Sequence, residues 1–182
     1  MFFKLLILLL TSYNIQAEYV ETSSIVVSQP SIVREDSHLI FSQVEIIADK
    51  SKGVLYLKRP EQEIIVIPAL FGKEKSDDLS KWEISKITPS GIYSLEKAYS
   101  VKMKSNILMF KKSDKNILAI HPVYIGKPEQ RREERLTNGD PSDNRITSGC
   151  INVMPEFFDM LFALPNKTRL TILPEEQTLE NN

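Results

Sequence analysis

The strongest constraint on this chain is how often its apolar runs are interrupted. From Leu39 onward, short stretches rich in Val, Ile and Leu are cut by Asp, Asn, Gly and Pro clusters too frequently for long helices. Residues 39–47, 53–58 and 63–67 are β-branched and partly alternating, with Asp49-Lys50-Ser51-Lys52 and Arg59-Pro60-Glu61-Gln62 between them. Runs bounded in this way read as strands, and three in succession read as an antiparallel meander. Thr88-Pro89-Ser90-Gly91 is a turn, because proline presets φ and glycine tolerates unusual geometry. Residues 92–95 and 101–104 are predicted as the next strands, and 116–120 as a short apolar strand that ends at His121. Two stretches read as helices: 129–136, dense in Arg and Glu, and 155–164, with Pro155 at its start and an apolar face through Phe157, Phe158, Leu161 and Phe162. Residues 168–173 form a closing strand. The expected class is mainly β, a sandwich or barrel with one or two short helices.

A chain of 182 residues suits one domain with a sizeable core. Its formal net charge of −1 offers no basic face for a phosphate backbone, which argues against a nucleic-acid partner. The first residues differ from the rest. Met1-Phe2-Phe3-Lys4, an apolar run from Leu5 to Leu10 and a small residue at Ala17 read as a secretory signal peptide over 1–17. The run is too short to span a bilayer, and no cysteine follows it to carry a lipid. The expected product is therefore exported, to the periplasm or cell envelope, with no stable membrane anchor after cleavage. The remaining organisation is a lead-in over 18–38, one catalytic domain over 39–174 and a polar tail over 175–182.

Cys150 is the only cysteine. An exported domain with one cysteine has no internal disulfide, so its stability rests on its core, and the thiol is either an intermolecular link or free. It occupies Thr147-Ser148-Gly149-Cys150-Ile151-Asn152, a small-residue turn leading into an apolar stretch. A thiol nucleophile needs a base or a cation beside it. The histidines are His38, in the polar lead-in and read as solvated, and His121, on a rigid strand end. His121 is the candidate base; the bland alternative is a buried small cysteine and a satisfied core histidine. Around Gly149, the N–H groups of Ser148, Gly149 and Cys150 would converge as an oxyanion pocket. Arg145 is either a surface ion pair or a bidentate grip on a substrate carboxylate. One cysteine and two separated histidines make no metal site, and there is no glycine-rich phosphate loop, so neither metal nor cofactor is expected.

These residues resemble the YkuD-type L,D-transpeptidase catalytic domain. That family carries a Thr-Pro-Ser/Thr-Gly turn, a histidine after an apolar strand, and Ser/Thr-His-Gly-Cys followed by an apolar residue and Asn or Arg. Here Thr88–Gly91, Ile120-His121 and Thr147–Asn152 stand in those places, over roughly 39–173. The resemblance implies an L,D-transpeptidase-like β fold, Cys150 as nucleophile, His121 as general base, and Ser148, Gly149, Arg145 and Asn152 around the oxyanion and substrate. It implies peptidoglycan stem peptides as substrate: attack on an L,D peptide bond, a thioester, and transfer to an amine or to water. Two departures stand out. Ser148 replaces the family's second histidine and cannot carry a proton near neutral pH. The stretch from His121 to Cys150 is also longer than usual, the excess being 127–144, either a lid or groove wall or an inert solvated helix. A non-catalytic peptidoglycan-binding module is the competing reading. A thiol redox protein is weaker, because no second cysteine exists to resolve a disulfide.

Overall fold

The computed structural model describes residues 43–177, all within the larger of two units into which the chain divides, Ile32–Asn182. The expected signal peptide, the lead-in with the strand start next to it, His38, and residues 178–182 of the tail lie outside the described residues. The described chain is mainly β, as expected. Strands β1 (Glu45–Asp49), β2 (Val54–Lys58) and β3 (Ile65–Pro68) form the antiparallel meander, with Ile46 opposite Leu57 and Leu55 opposite Ile67. β4 (Phe71–Gly72), β5 (Gly91–Ser94), β6 (Glu96–Ser100), β7 (Ser105–Lys112) and β8 (Ile117–Pro122) come next. After them come α1 (Arg132–Thr137), β9 (Arg145–Thr147), β10 (Ile151–Val153), α2 (Pro155–Phe162) and β11 (Arg169–Ile172).

A five-stranded sheet has the order β3-β2-β1-β11-β5, and a four-stranded sheet has the order β10-β8-β7-β6. The closing strand β11 is not an edge. It runs parallel to β1 and antiparallel to β5, in the interior of the first sheet. Alternation decides which side of each strand is buried. Ile46, Ala48, Leu55, Leu57 and Leu170 from the first sheet share one core with Leu108, Phe110, Leu118, Ile120, Ile151 and Val153 from the second. α2 adds Phe158 and Leu161 to that core, the apolar face expected from its spacing.

Two local expectations differ. Residues 101–104 are a turn joining β6 to β7, not a strand; Lys104 takes a left-handed φ of 52° and Val101 is 82 % exposed. The Val-Lys-Met-Lys alternation imitates a strand but has no buried side to satisfy. The neighbouring strand β7 is the long one, because Leu108 and Phe110 face the core. Finally, the helix over 129–136 is broken: a 3-10 turn, Pro128–Gln130, meets α1 at Arg131, whose φ of 49° is left-handed.

Candidate active site

Period-2 geometry builds this site. On β8, Leu118 and Ile120 enter the core, which turns Ala119 and His121 to the other face of the four-stranded sheet. On the adjoining parallel strand β10, Ile151 and Val153 enter the core, and Asn152 pairs with His121 in register. Cys150, two before Asn152, falls on that same face next to Ala119. His121 and Cys150 thus line one cavity of about 530 Å³, whose other walls include Tyr99, Lys102, Met103, Ile107 and Lys115.

The cysteine turn is clamped from behind. Thr88, from the Thr-Pro-Ser-Gly turn, is fully buried; its Oγ1 donates to Gly149 O at 3.0 Å and accepts from the Gly72 N–H at 2.8 Å. Gly149 has φ of 114°, and a Cβ there would sit 2.5 Å from Ile87 O. Only glycine fits so close to a backbone carbonyl in that conformation. The Gly149 N–H donates to Thr147 Oγ1 at 3.1 Å, and that hydroxyl in turn donates to Cys150 O at 2.6 Å. The Gly149 N–H is therefore spent inside the turn and does not join the oxyanion pocket expected from sequence.

His121 is 5 % exposed and Asn152 fully buried. His121 Nδ1 lies 2.7 Å from Pro122 O, and Asn152 Nδ2 lies 3.0 Å from His121 Nε2. Asn152 Oδ1 accepts from Arg132 Nη1, and Arg132 Nε donates to Gln130 Oε1 at 2.8 Å. The Cys150 thiol donates weakly to Ile117 O at 3.9 Å. Among the described residues no hydrogen bond joins it to the His121 ring, although both face the cavity. Burial depresses His121 to about 4, and the nearby Arg132 cation pushes the same way. Burial also raises the Cys150 thiol, with the Ala119 backbone and Arg132 pulling against it. With the ring's pKa held down and the thiol's pushed up, a preformed thiolate–imidazolium pair is disfavoured. The resting site is a thiol beside a neutral imidazole.

Two residues expected at the site are elsewhere or marginal. Arg145 faces a separate cavity of about 380 Å³ lined by Lys50, Pro141 and Glu175. Its side chain is over nine-tenths buried and pairs with Glu175, which also pairs with Lys50 at 3.1 Å; Lys50 bonds Asp77 at 2.7 Å. The substrate-grip reading of Arg145 is corrected: β9 sends this side chain into a buried ion-pair network. Ser148 is exposed and does not line the Cys150 cavity. The residue that sequence reasoning missed is Arg132. It belongs to the 127–144 stretch, which is not an inert solvated helix, since Leu136 packs with Leu70 and Val123. Only the density of arginine there pointed to it. Among the described residues no cluster of His, Cys, Asp and Glu could hold a metal, and no helix is long and apolar enough to cross a membrane.

No protein-family model matches the chain, and no curated protein matches it. Several solved structures are similar. One is the L,D-transpeptidase (residues 123–326) from Xylanimonas cellulosilytica, 15 % identical, with 72 % of this chain and 61 % of that chain covered at a TM-score of 0.46. Another is L,D-transpeptidase 3 from Mycobacterium tuberculosis, 15 % identical, covering 71 % and 60 % at 0.48. A third is the catalytic domain of the E. faecium L,D-transpeptidase, 16 % identical, covering 72 % and 98 % at 0.46. The chain spans about three fifths of the length of the first two.

Proposed function

We propose that this protein is an exported cysteine acyltransferase acting on peptidoglycan stem peptides. The observation that carries the reading is the placement of Cys150 and His121 on one sheet face, lining one cavity. The motif resemblance around both residues supplies the substrate class. Lys102 and Lys115 in the cavity wall suit the carboxylates of a stem peptide.

In this reading substrate docks with its scissile carbonyl against the thiol. As sulfur bonds to the carbonyl carbon, the thiol proton passes to His121 and the carbonyl oxygen takes the negative charge. The Cys150 N–H is the backbone donor assigned to that oxyanion. Because the ring is so weak a base, the imidazolium is a strong acid. It returns the proton to the departing amine of the terminal D-residue, leaving a thioester. An acceptor amine from a second stem then repeats the sequence in reverse, or water does, giving a trimmed stem.

Whole-protein mass spectrometry after incubation with a carbapenem tests this. The expected result is one covalent adduct, absent in Cys150→Ala. No adduct in the native protein, together with muropeptide binding unchanged in that variant, sinks the enzyme and leaves the second reading, a peptidoglycan-binding module. Two observations favour that second reading: the exposed Ser148 in the histidine's place, and a thiol whose partner is Ile117 O and not the ring.

A further inference from the structure

The sheet face that carries the site does not end at the histidine. The β10–β8 ladder continues one step further, with the Val123 N–H donating to Val153 O at 3.0 Å. Alternation then puts Val123 on the same face as His121. Beyond the ring the chain turns into a second cavity, of about 310 Å³, whose walls include Val123, Tyr124, Lys127, Pro128 and Arg132. Cys150, His121 and this cavity thus follow one another along β8 and its continuation.

Arg132 links the two cavities. It is half-buried; Nη1 donates to Asn152 Oδ1, and Nε donates to Gln130 Oε1 at 2.8 Å. Asn152 is in turn the register partner of His121. These contacts fix the plane of the guanidinium and use two of its five N–H groups. Among the described residues nothing accepts from Nη2. A held, half-buried fork with hydrogens to spare is well made for a carboxylate. The other charges on this cavity do not offer the same. Arg131 is paired with Glu134, and Lys127 and Glu133 are exposed and of opposite sign. The Arg132 cation is also close enough to act on both the His121 ring and the Cys150 thiol.

We propose that this second cavity is the subsite for the residue that leaves, and that Arg132 binds its terminal carboxylate. The assignment rests on the function proposed above and adds which end of the substrate lies where. His121 returns its proton to the departing nitrogen, so that nitrogen lies against the ring. In a terminal amino acid the carboxylate is one carbon removed from the nitrogen. The cation that receives it therefore stands within one residue of the ring, and Arg132, bonded to the ring's register partner, is so placed. Lys102 and Lys115 are exposed on the turns at either end of β7, in the wall of the Cys150 cavity, where they face the part of the substrate that is retained. The consequence is a preference for a chain end. Where the peptide continued, or was closed as an amide, a neutral group would meet the guanidinium and the charge-assisted contact would be lost.

The test compares a stem tetrapeptide carrying a free terminal carboxylate with the same peptide closed as its C-terminal amide. The full-length protein is assayed for release of the terminal residue, as kcat/KM. Intrinsic differences between the two peptides, and any effect of a substitution on the thiol or the ring, divide out when the acid-to-amide ratio is compared between variants. The native protein is expected to favour the acid by about tenfold or more, the scale of one charge-assisted hydrogen-bonded pair. In Arg132→Met that preference is expected to collapse toward unity, and Arg132→Gln supplies the same comparison should R132M not fold. A native protein indifferent to the amide overturns the proposal. So does a preference unmoved in a folded R132M or R132Q; with carbapenem capture intact, the enzyme reading then stands and the subsite falls. If carbapenem does not label Cys150, the enzyme reading falls, and the subsite is scored by calorimetric binding of the two peptides to Cys150→Ala. An acid preference there that is lost on adding R132M keeps the subsite. Equal binding of acid and amide, or binding of neither, removes it.

Discussion

Asn152 and His121 are register partners on adjacent parallel strands, and Asn152 Nδ2 lies 3.0 Å from His121 Nε2. The pairing ties the residue after the cysteine turn to the end of β8. The backbone of Asn152 is held from its other side, where its N–H and C=O both bond to Leu70, at 3.0 and 2.8 Å. A change at this pair is therefore felt in the packing of the ring and in the strand that carries Cys150.

Stability at low pH should report on His121. Its folded pKa is depressed to about 4, chiefly by burial, from an ordinary 6.5. A depressed value stabilises the fold above the unfolded pKa, and that stability is lost as pH falls from about 6.5 toward 4. The shift corresponds to about 3 kcal/mol. Denaturant titrations across that window should show a loss of that order in the native protein and a much smaller one in His121→Gln. Equal slopes in the two proteins would remove His121 as the cause.

The reactivity of Cys150 toward iodoacetamide should rise late. Burial pushes the thiol above its ordinary 9.0. The alkylation rate should therefore still be climbing at about pH 9, and a plateau near neutrality would show a stabilised thiolate instead. Arg132 opposes the burial effect on this thiol, so R132M should move the profile higher still.

Gly149→Ala should be poorly tolerated. The added Cβ would meet Ile87 O at 2.5 Å, on a backbone with φ of 114°. Neither the carbonyl nor the conformation can yield cheaply, and a loss of about 2 kcal/mol or more is expected in urea unfolding. Thr88→Val should act on the same turn from its other side. It keeps the shape but strands the buried Gly72 N–H and Gly149 O, at about 1–3 kcal/mol for each unsatisfied group. Both variants should slow carbapenem capture, since the turn they disturb carries Cys150.

Arg145→Met should separate structure from substrate binding. Removing one member of a buried ion pair costs about 3–5 kcal/mol, because Glu175 is left with less compensation. Melting temperature should fall, while the alkylation profile of Cys150 stays as in the native protein. A profile that shifts without loss of stability would return Arg145 to the active site.

The residues themselves account for a good part of this protein. Strand-sized runs, turn signals and the apolar face of α2 were legible because they are local: alternation and helical spacing report which side chains share a face. The same alternation, applied to Ala119-Ile120-His121 and Cys150-Ile151-Asn152, is what brings thiol and imidazole to one surface once the two strands pair. Where local pattern had no buried face to serve, as in Val101-Lys102-Met103-Lys104, it misled.

Pairing was decided by the tertiary structure. Nothing in residues 169–172 says that β11 runs parallel to β1 inside the sheet, because register between strands so far apart depends on the whole core closing around them. Nor does Arg145 announce that it turns to Lys50 and Glu175, or Arg132 that it reaches Asn152. Their roles depend on which oppositely charged or polar group the folded backbone brings within hydrogen-bond range. Sequence by itself determined a mainly β chain with one available thiol and one well-mounted histidine. Folding determined that the two meet, since His121 at the end of β8 and Cys150 just before β10 face one cavity only when those two parallel strands pair in register.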